Sequence, residues 1–127
     1  MEIVINNSID KPIYKQIVSQ IQADIISGNM HKGEPLPSMR LLAKDLQVSV
    51  ITTKRAYDEL EKDGFIISFT GRGTFVAETN LELIKENSLK QIEEYFNAAI
   101  DIAKKVDVTK DEMAELISLL YVEKPVQ

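Results

Sequence analysis

Hydrophobic residues recur every four positions near the start of the chain. The recurring residues are Ile13, Ile17, Ile21 and Ile25. At 3.6 residues per turn they share one face, which predicts an amphipathic helix. Pro12 suits the first turn of such a helix, and Gly28 can end it in the left-handed conformation. Residues 29–37, which contain one glycine and two prolines, are predicted to form a loop.

The next pattern predicts two short helices with a tight connection between them. Ser38 suits the N-cap of the first helix and Ser49 that of the second, which ends near Gly64. The predicted core face of the first helix consists of Leu41, Leu42 and Leu46. That of the second helix consists of Thr53, Ala56, Tyr57 and Leu60. Two short helices joined in this way describe a helix-turn-helix.

A β-prone pattern follows the second helix. Two short runs, 65–69 and 74–77, flank a glycine-rich turn at 70–73, which predicts a β-hairpin. A hairpin directly after a helix-turn-helix is the wing of a winged helix. We therefore expect a mostly α-helical fold with a small β-hairpin, in which residues 10–77 form a winged helix-turn-helix domain.

Residues 78–127 have a different pattern, in which apolar residues alternate at spacings of three and four. This heptad seam consists of Leu89, Ile92, Phe96, Ala99, Ala103 and Val106. A capping-box pattern from Thr109 to Glu112 predicts a last helix. The apolar face of that helix consists of Met113, Leu116, Ile117 and Leu120. Because two helices alone bury little surface, we expect a dimerisation segment that pairs with a second copy around a two-fold axis.

Composition excludes several classes of protein. The 44% hydrophobic and 28% charged residues are typical of a globular domain. No stretch resembles a membrane span or a signal peptide, so we expect a cytoplasmic protein. Cysteine is absent and the one histidine, His31, lies in a predicted loop, so we expect neither a metal site nor a cofactor. Motifs of nucleophilic or phosphate-binding chemistry are also absent, and we predict that the protein is not an enzyme.

The net charge of −5 argues against a nucleic-acid partner until its distribution is considered. Residues 1–77 carry nine Lys or Arg and nine Asp or Glu, so the whole acidic excess lies in residues 78–127. Residues 38–55 carry four cations and one anion, which gives the helix-turn-helix a local charge of +3. The distribution of charge is therefore compatible with DNA binding.

Several motifs within residues 10–77 resemble those of the GntR family of bacterial regulators. The matching segments are Pro12-Ile-Tyr14, Leu36-Pro-Ser38 with Arg40, Val48-Ser49, Arg55-Ala-Tyr57 and Gly71-Arg-Gly-Thr-Phe-Val76. The fifty residues that follow are too few for the large effector-binding domain of most family members, and they resemble the short YtrA-like subgroup. This resemblance implies a homodimeric repressor, and it implies that the target is often a neighbouring ABC transporter operon.

A helix-turn-helix places the N-terminal end of its second helix in the major groove. The candidate DNA-binding residues are Ser38, Arg40, Ser49, Val50, Ile51, Thr52, Lys54, Arg55, Arg72, Gly73 and Thr74. Hydroxyl groups and cations can bind phosphates or base edges, and Val50 and Ile51 could contact thymine methyl groups. The resemblance further implies that Arg40 contacts the DNA backbone or a base and that Arg72 enters the minor groove. One departure is that many family members carry a guanine-reading arginine where this chain carries Val50.

Each candidate contact has a structural alternative. Val50 and Ile51 could pack against the loop that precedes the first helix of the helix-turn-helix. Arg55 could be a solvated cation on the helix surface, and Arg40 could pair with a carboxylate inside the domain. The two serines are expected to cap their helices whether or not they also donate to phosphate.

Two functions are compatible with these residues. The first is a sequence-specific DNA-binding transcription regulator, a homodimeric repressor that binds a pseudo-palindromic operator. The alternative is a winged-helix protein-interaction module whose acidic helices bind a basic partner. The local charge of +3 and Arg72 at the wing favour DNA. The residues identify neither a small-molecule effector nor an operator sequence, and they leave open whether the protein represses or activates.

Overall fold

The computed structural model describes residues 1–122 and confirms a mostly α-helical fold with a small antiparallel sheet. Its elements in chain order are α1 (Ile13–Ile26), β1 (Pro35–Leu36), α2 (Met39–Leu46), α3 (Val50–Lys62), β2 (Ile66–Phe69), β3 (Gly73–Val76), α4 (Leu81–Lys105) and α5 (Lys110–Leu120). They fall into two compact units, Met1–Thr79 and a second unit that begins at Asn80. The last part of the predicted dimerisation segment, 123–127, lies outside the described residues. None of the described helices is long and apolar enough to cross a membrane.

Helix α1 packs against α3 and contributes buried isoleucines to the core of the first unit. Ile17 and Ile21 are fully buried and Ile25 is nearly so, whereas Ile13 is only half-buried. Gly28 follows the helix with φ +85°, a conformation that suits glycine and ends the helix as predicted. Other buried apolar side chains of this unit are Val18, Met30, Leu36, Leu42, Ala43, Ala56, Tyr57, Leu60, Phe65, Ile66 and Val76.

Two glutamines of α1 hold the segment that precedes the helix. The Asn6 N–H donates to Gln16 Oε1 at 2.8 Å, and Gln16 Nε2 donates back to the Asn6 carbonyl at 3.0 Å. One turn later the Val4 N–H and carbonyl make the same pair of hydrogen bonds with the Gln20 amide, at 2.9 and 2.7 Å. The two side-chain amides therefore satisfy the backbone N–H and carbonyl groups of Val4 and Asn6, as a neighbouring β-strand would.

Helices α2 and α3 form the predicted helix-turn-helix, and a buried hydroxyl group connects them. The Thr53 hydroxyl, at 0% exposure, donates to the Met39 carbonyl at the start of α2 at 3.0 Å. Gln47 ends α2 in the left-handed region, with φ +57°. The predicted core face of α2 is partly wrong, because Leu42 is buried but Leu41 is 49% exposed. Ala43, rather than Leu41, completes the buried face of this short helix.

The predicted hairpin is the larger part of a three-stranded antiparallel sheet with the order β1-β3-β2. Pro35 pairs with Phe75 and Leu36 with Thr74, so the prediction that residues 29–37 form only a loop is wrong. Proline is tolerated here because β1 is an edge strand, where its missing N–H costs no ladder hydrogen bond. This pairing buries Leu36 and attaches the wing to the segment that leads into α2.

The second unit consists of the long helix α4 and the shorter helix α5. The Thr109 hydroxyl accepts from the Glu112 N–H and the Glu112 carboxylate accepts from the Thr109 N–H, both at 3.1 Å, which confirms the predicted capping box. Asp107, with φ +58°, reverses the chain between the two helices. The predicted heptad seam extends one residue too far, because α4 ends at Lys105 and Val106 is its C-cap.

Candidate nucleic-acid interface and pairing surface

Two serine-capped helix N-termini contribute to the candidate nucleic-acid interface. The Ser38 hydroxyl accepts from the Leu41 N–H, and the Ser49 hydroxyl accepts from the Thr52 N–H, each at 3.1 Å. The predicted N-caps are thereby confirmed, and both serines are exposed. The remaining free N–H groups of a helix first turn favour a bound anion, which suits a DNA backbone.

The Tyr57 hydroxyl fixes the loop from which α2 starts. It donates to the Pro37 carbonyl at 2.7 Å, and its ring is 1% exposed. Burial raises the pKa of Tyr57 well above the ordinary tyrosine value, so this hydroxyl stays protonated and remains a donor. Tyr57 thereby positions Ser38 and the first turn of α2 from the interior of the domain.

The first turn of α3 presents apolar and hydroxyl groups to solvent. Ile51 is 79% exposed and Val50 is 45% exposed. The alternative in which Ile51 packs against the preceding loop is therefore wrong. Beside them, the hydroxyls of Ser49 and Thr52 share a hydrogen bond of 2.7 Å.

Two cations of α3, Lys54 and Arg55, are each held by a neighbouring side chain. Lys54 Nζ lies 2.7 Å from Asp58 Oδ2, one turn further along the same helix. Arg55 Cζ lies 3.9 Å from the centroid of the Tyr14 ring on α1, a cation–π arrangement. Arg55 is therefore exposed on one side and stacked on the other, and the alternative of a simply solvated cation does not describe it.

Two further arginines lie at the surface of the first unit. Arg40 is exposed in the first turn of α2, and among residues 1–122 no carboxylate forms an ion pair with it. The alternative of an internal ion pair is therefore wrong within the described residues. Arg72 lies at the tip of the wing, where its N–H donates to the Phe69 carbonyl at 2.9 Å. Gly71 allows this tight turn because it adopts φ +77°.

The two other wing candidates have different environments. Gly73 is exposed and begins β3 opposite Phe69. Thr74 is half-buried, and its hydroxyl lies 3.1 Å from the Ser68 hydroxyl across the β2–β3 ladder. The Thr74 hydroxyl therefore has a structural partner within the sheet.

Sequence reasoning missed two residues that position candidate contacts. The sequence places Tyr14 beside the isoleucine stripe of α1 and in a family motif, but it does not predict that the Tyr14 ring is the platform for Arg55. Glu61 accepts from the Ser68 N–H at 3.2 Å and so connects α3 with the wing. An aromatic residue beside a buried helical stripe is a signal for the first; nothing local in the sequence indicates the second.

The described residues offer no arrangement for metal chemistry. Among residues 1–122 no group of three His, Asp or Glu side chains is close enough to hold a metal ion. What the first unit does offer is a surface of hydroxyls, cations and exposed methyl groups. Such groups bind phosphates and base edges.

The second unit has a surface suited to pairing. A groove of about 420 Å³ between α4 and α5 is lined almost entirely by apolar atoms, with Phe96, Ala103, Met113 and Ile117 among its walls. Of the predicted dimerisation residues, Ala103 is buried and Met113 is half-buried. The others remain exposed in the single chain: Leu89, Ile92, Phe96, Ala99, Val106, Leu116, Ile117 and Leu120.

The chain is similar in sequence and in fold to known bacterial regulatory proteins. The sequence profile of the family described as "Bacterial regulatory proteins, gntR family" matches residues 13–76. The HTH-type transcriptional repressor YtrA of Bacillus subtilis (strain 168) is 34% identical over 106 residues, covering 84% of this chain and 82% of the relative. A GntR family transcriptional regulator from Listeria monocytogenes has a TM-score of 0.65 and 34% identity, covering 94% of this chain and 100% of that chain. The DNA-binding domain of AraR, solved in complex with operator ORX1, has a TM-score of 0.53 and 28% identity over 61% of this chain and 96% of its own.

Proposed function

This chain belongs to the gntR family of bacterial regulatory proteins, and we propose that it is a homodimeric repressor of transcription that binds a pseudo-palindromic operator. Proteins of this family are transcription regulators with a DNA-binding winged helix, not enzymes. Repression is proposed from the likeness to the YtrA repressor, which extends over both units of this chain. Operator binding is proposed from the likeness to the AraR domain that was solved on its operator.

The observation that carries the proposal is the exposed first turn of α3. A helix that served only the core would not leave Ile51 79% exposed beside two paired hydroxyls. In a helix-turn-helix this turn enters the major groove, with the first helix lying across the backbone. We propose that Ser49, Val50, Ile51 and Thr52 face base edges there.

The cations and the remaining hydroxyl groups are proposed to bind the DNA backbone around that contact. Ser38 and Arg40 lie at the start of α2, where free N–H groups also favour a phosphate. Lys54 and Arg55 would bind phosphates on either side of the groove. The wing, through Arg72, Gly73 and Thr74, would follow the adjacent minor groove.

The dimer is proposed from the apolar surface of the second unit. Side chains such as Ile92, Leu116 and Leu120 expose 45–70% of their surface in the single chain. Monomeric proteins rarely leave so large an apolar surface in contact with water. A second copy covers it most simply, because a two-fold axis brings identical surfaces together and gives each half-site one winged helix.

The resemblance to the YtrA-like subgroup extends the proposal to a target. We propose that the operator lies beside the gene for this protein, in front of an operon for an ABC transporter, and that the protein acts in the cytoplasm. An effector molecule stays unassigned.

Fluorescence anisotropy tests the proposal with the full chain and the duplex upstream of its own gene. A scrambled duplex of the same composition is the control, and both are titrated across a salt series. We expect preferential binding of the native duplex, saturation at two chains per duplex, and affinity that falls steeply with salt as phosphate contacts release counterions. Absence of binding to either duplex at low salt would contradict the proposal and favour the protein-interaction module.

A further inference from the structure

The polar groups in the first turn of α3 are largely occupied with one another. Ser49 Oγ accepts from the Thr52 N–H and shares a second hydrogen bond with the Thr52 hydroxyl at 2.7 Å. Thr53 turns inward and donates to main-chain carbonyls. Two hydroxyls bonded to each other retain one hydrogen for an outside acceptor, and their remaining lone pairs can accept from an outside donor, so this turn has few polar groups left for base contacts.

The cations of α3 lie further along the helix and are directed away from its first turn. Lys54 is bound to Asp58, towards the C-terminal end of the helix. Arg55 is stacked on Tyr14 of a different helix. The commonest specific contact with guanine in the major groove is a bidentate arginine or lysine. Residues 49–52 contain neither.

The first turn of α3 therefore presents mainly methyl groups. Ile51 exposes 79% of its surface and Val50 exposes 45%, side by side at the end of the helix that enters the groove. The one apolar group that a base pair displays in the major groove is the C5-methyl of thymine.

We propose that Val50 and Ile51 recognise a pyrimidine C5-methyl group, so that each operator half-site has a thymine, and no essential guanine, opposite the first turn of α3. This inference rests on the proposed function, because it assigns the specificity of the same DNA-binding surface. The Ser49–Thr52 hydroxyl pair then donates its remaining hydrogen to an acceptor on the neighbouring base edge. The phosphate contacts supply affinity and the methyl contacts select the site.

The test removes single methyl groups from the DNA. Once the operator is located, each thymine of a half-site is replaced in turn by uracil, which lacks only the C5-methyl. We expect one or two adjacent positions at which uracil lowers the affinity of the unmodified protein about fourfold, the value for one buried methyl group. At the position that Ile51 contacts, Ile51→Ala should bind thymine and uracil duplexes equally, because its methyl contact is already lost.

Two controls test whether the methyl group alone causes the effect and whether the effect depends on the helix-turn-helix. A cytosine–guanine pair at the same position should bind weakly, and 5-methylcytosine should recover part of the affinity, because it restores the methyl alone. Val4→Ala truncates another exposed β-branched residue, 67% exposed and far from the helix-turn-helix in sequence, and it should retain the full preference for thymine.

The outcomes separate this inference from the function on which it rests. If operator binding is specific and salt-sensitive but no uracil substitution weakens it, the methyl readout is wrong. The proposed function as a transcription regulator then still stands. If a guanine lies opposite the first turn of α3 and its replacement by another base abolishes binding, the methyl readout is likewise wrong. Failure to bind any duplex specifically would overturn both.

Discussion

The guanidinium group of Arg55 lies over the aromatic ring of Tyr14 on α1, with its Cζ atom 3.9 Å from the ring centroid. Lys15, next to Tyr14, forms a hydrogen-bonded ion pair with Glu59, one turn beyond Arg55 on α3, and this hydrogen bond raises the pKa of Lys15. Helix α1 therefore contacts α3 through its surface side chains as well as through its buried isoleucines. The contact with Tyr14 restricts the Arg55 side chain, which we propose binds a DNA phosphate.

Replacing Tyr14 by leucine is expected to weaken operator binding about three- to tenfold. The leucine retains apolar bulk but loses the aromatic platform, so the Arg55 side chain must be ordered during binding. Anisotropy titrations measure the affinity. Tyr14→Phe, which keeps the ring, should bind within about twofold of the unmodified protein. Equal losses for the leucine and phenylalanine variants would contradict the stacking role.

Arg72 is exposed between two glycines at the turn of the β2–β3 hairpin, where we propose that it contacts DNA. Arg72→Ala should reduce operator affinity about tenfold or more and lower the slope of affinity against salt, while the midpoint of thermal unfolding stays unchanged. Arg72→Lys keeps the charge and should recover part of the affinity. Unchanged binding by the alanine variant would show that the wing tip does not contact DNA.

Much of this interface could be predicted from local sequence because its elements begin and end at local signals. The N-caps Ser38 and Ser49 and the capping box at Thr109 involve residues within one helical turn of each other. The stripe of isoleucines in α1 likewise follows from helical periodicity alone.

The features that sequence reasoning missed depend on contacts between residues distant in the chain. Strand β1 exists because Pro35 and Leu36 meet β3 about forty residues later, and no local pattern predicts that pairing. Leu41 and Leu42 are equally apolar, and only the angle between α2 and α3 decides which one is buried. The left-handed conformation of Gln47 is similarly imposed by the turn, since a residue with a Cβ rarely adopts it.

The buried hydrogen bond from Tyr57 to the Pro37 carbonyl predicts a dependence of stability on pH. Burial raises the pKa of Tyr57 in the folded state above its value in the unfolded chain, about 10. The folded protein therefore holds a proton that the unfolded chain releases, so the free energy of unfolding should fall as the pH rises above about 10. Denaturant titrations at pH 7 and at higher pH measure this fall.

Tyr57→Phe removes the hydroxyl group and keeps the aromatic ring, so it tests the hydroxyl alone. At pH 7 it should lower the free energy of unfolding by about 1–2 kcal/mol, because the Pro37 carbonyl loses its donor. Above pH 10 the variant should lose less stability than the unmodified protein, because it has no phenol to ionise at this position. Parallel pH profiles for the two proteins would contradict the assignment to Tyr57.

The glutamine contacts of the N-terminal segment predict unequal effects of two similar substitutions. Gln16 is 3% exposed and also donates to the Lys11 carbonyl, whereas the hydrogen bonds of Gln20 with Val4 are exposed to water. Gln16→Leu should therefore lower the free energy of unfolding by about 1–3 kcal/mol, and Gln20→Leu by less than about 1 kcal/mol. Both variants should speed amide exchange in the first nine residues. Equal losses of stability would mean that burial does not distinguish the two glutamines.

The last prediction concerns the apolar surface of the second unit. Ile92, 45% exposed on α4, is placed by its heptad position in the proposed interface between two copies. Ile92→Glu would bury a carboxylate without a partner in each half of that interface, so the dissociation constant of the dimer should rise at least about a hundredfold. Sedimentation across a concentration series measures the oligomeric state. Glu93→Gln, next to it on the same helix and also exposed, should leave the dimer unchanged. Because each half-site needs its own winged helix, monomeric Ile92→Glu should also lose affinity for the full operator and retain its weak affinity for a single half-site. A variant that stays dimeric would place the pairing surface elsewhere on the chain.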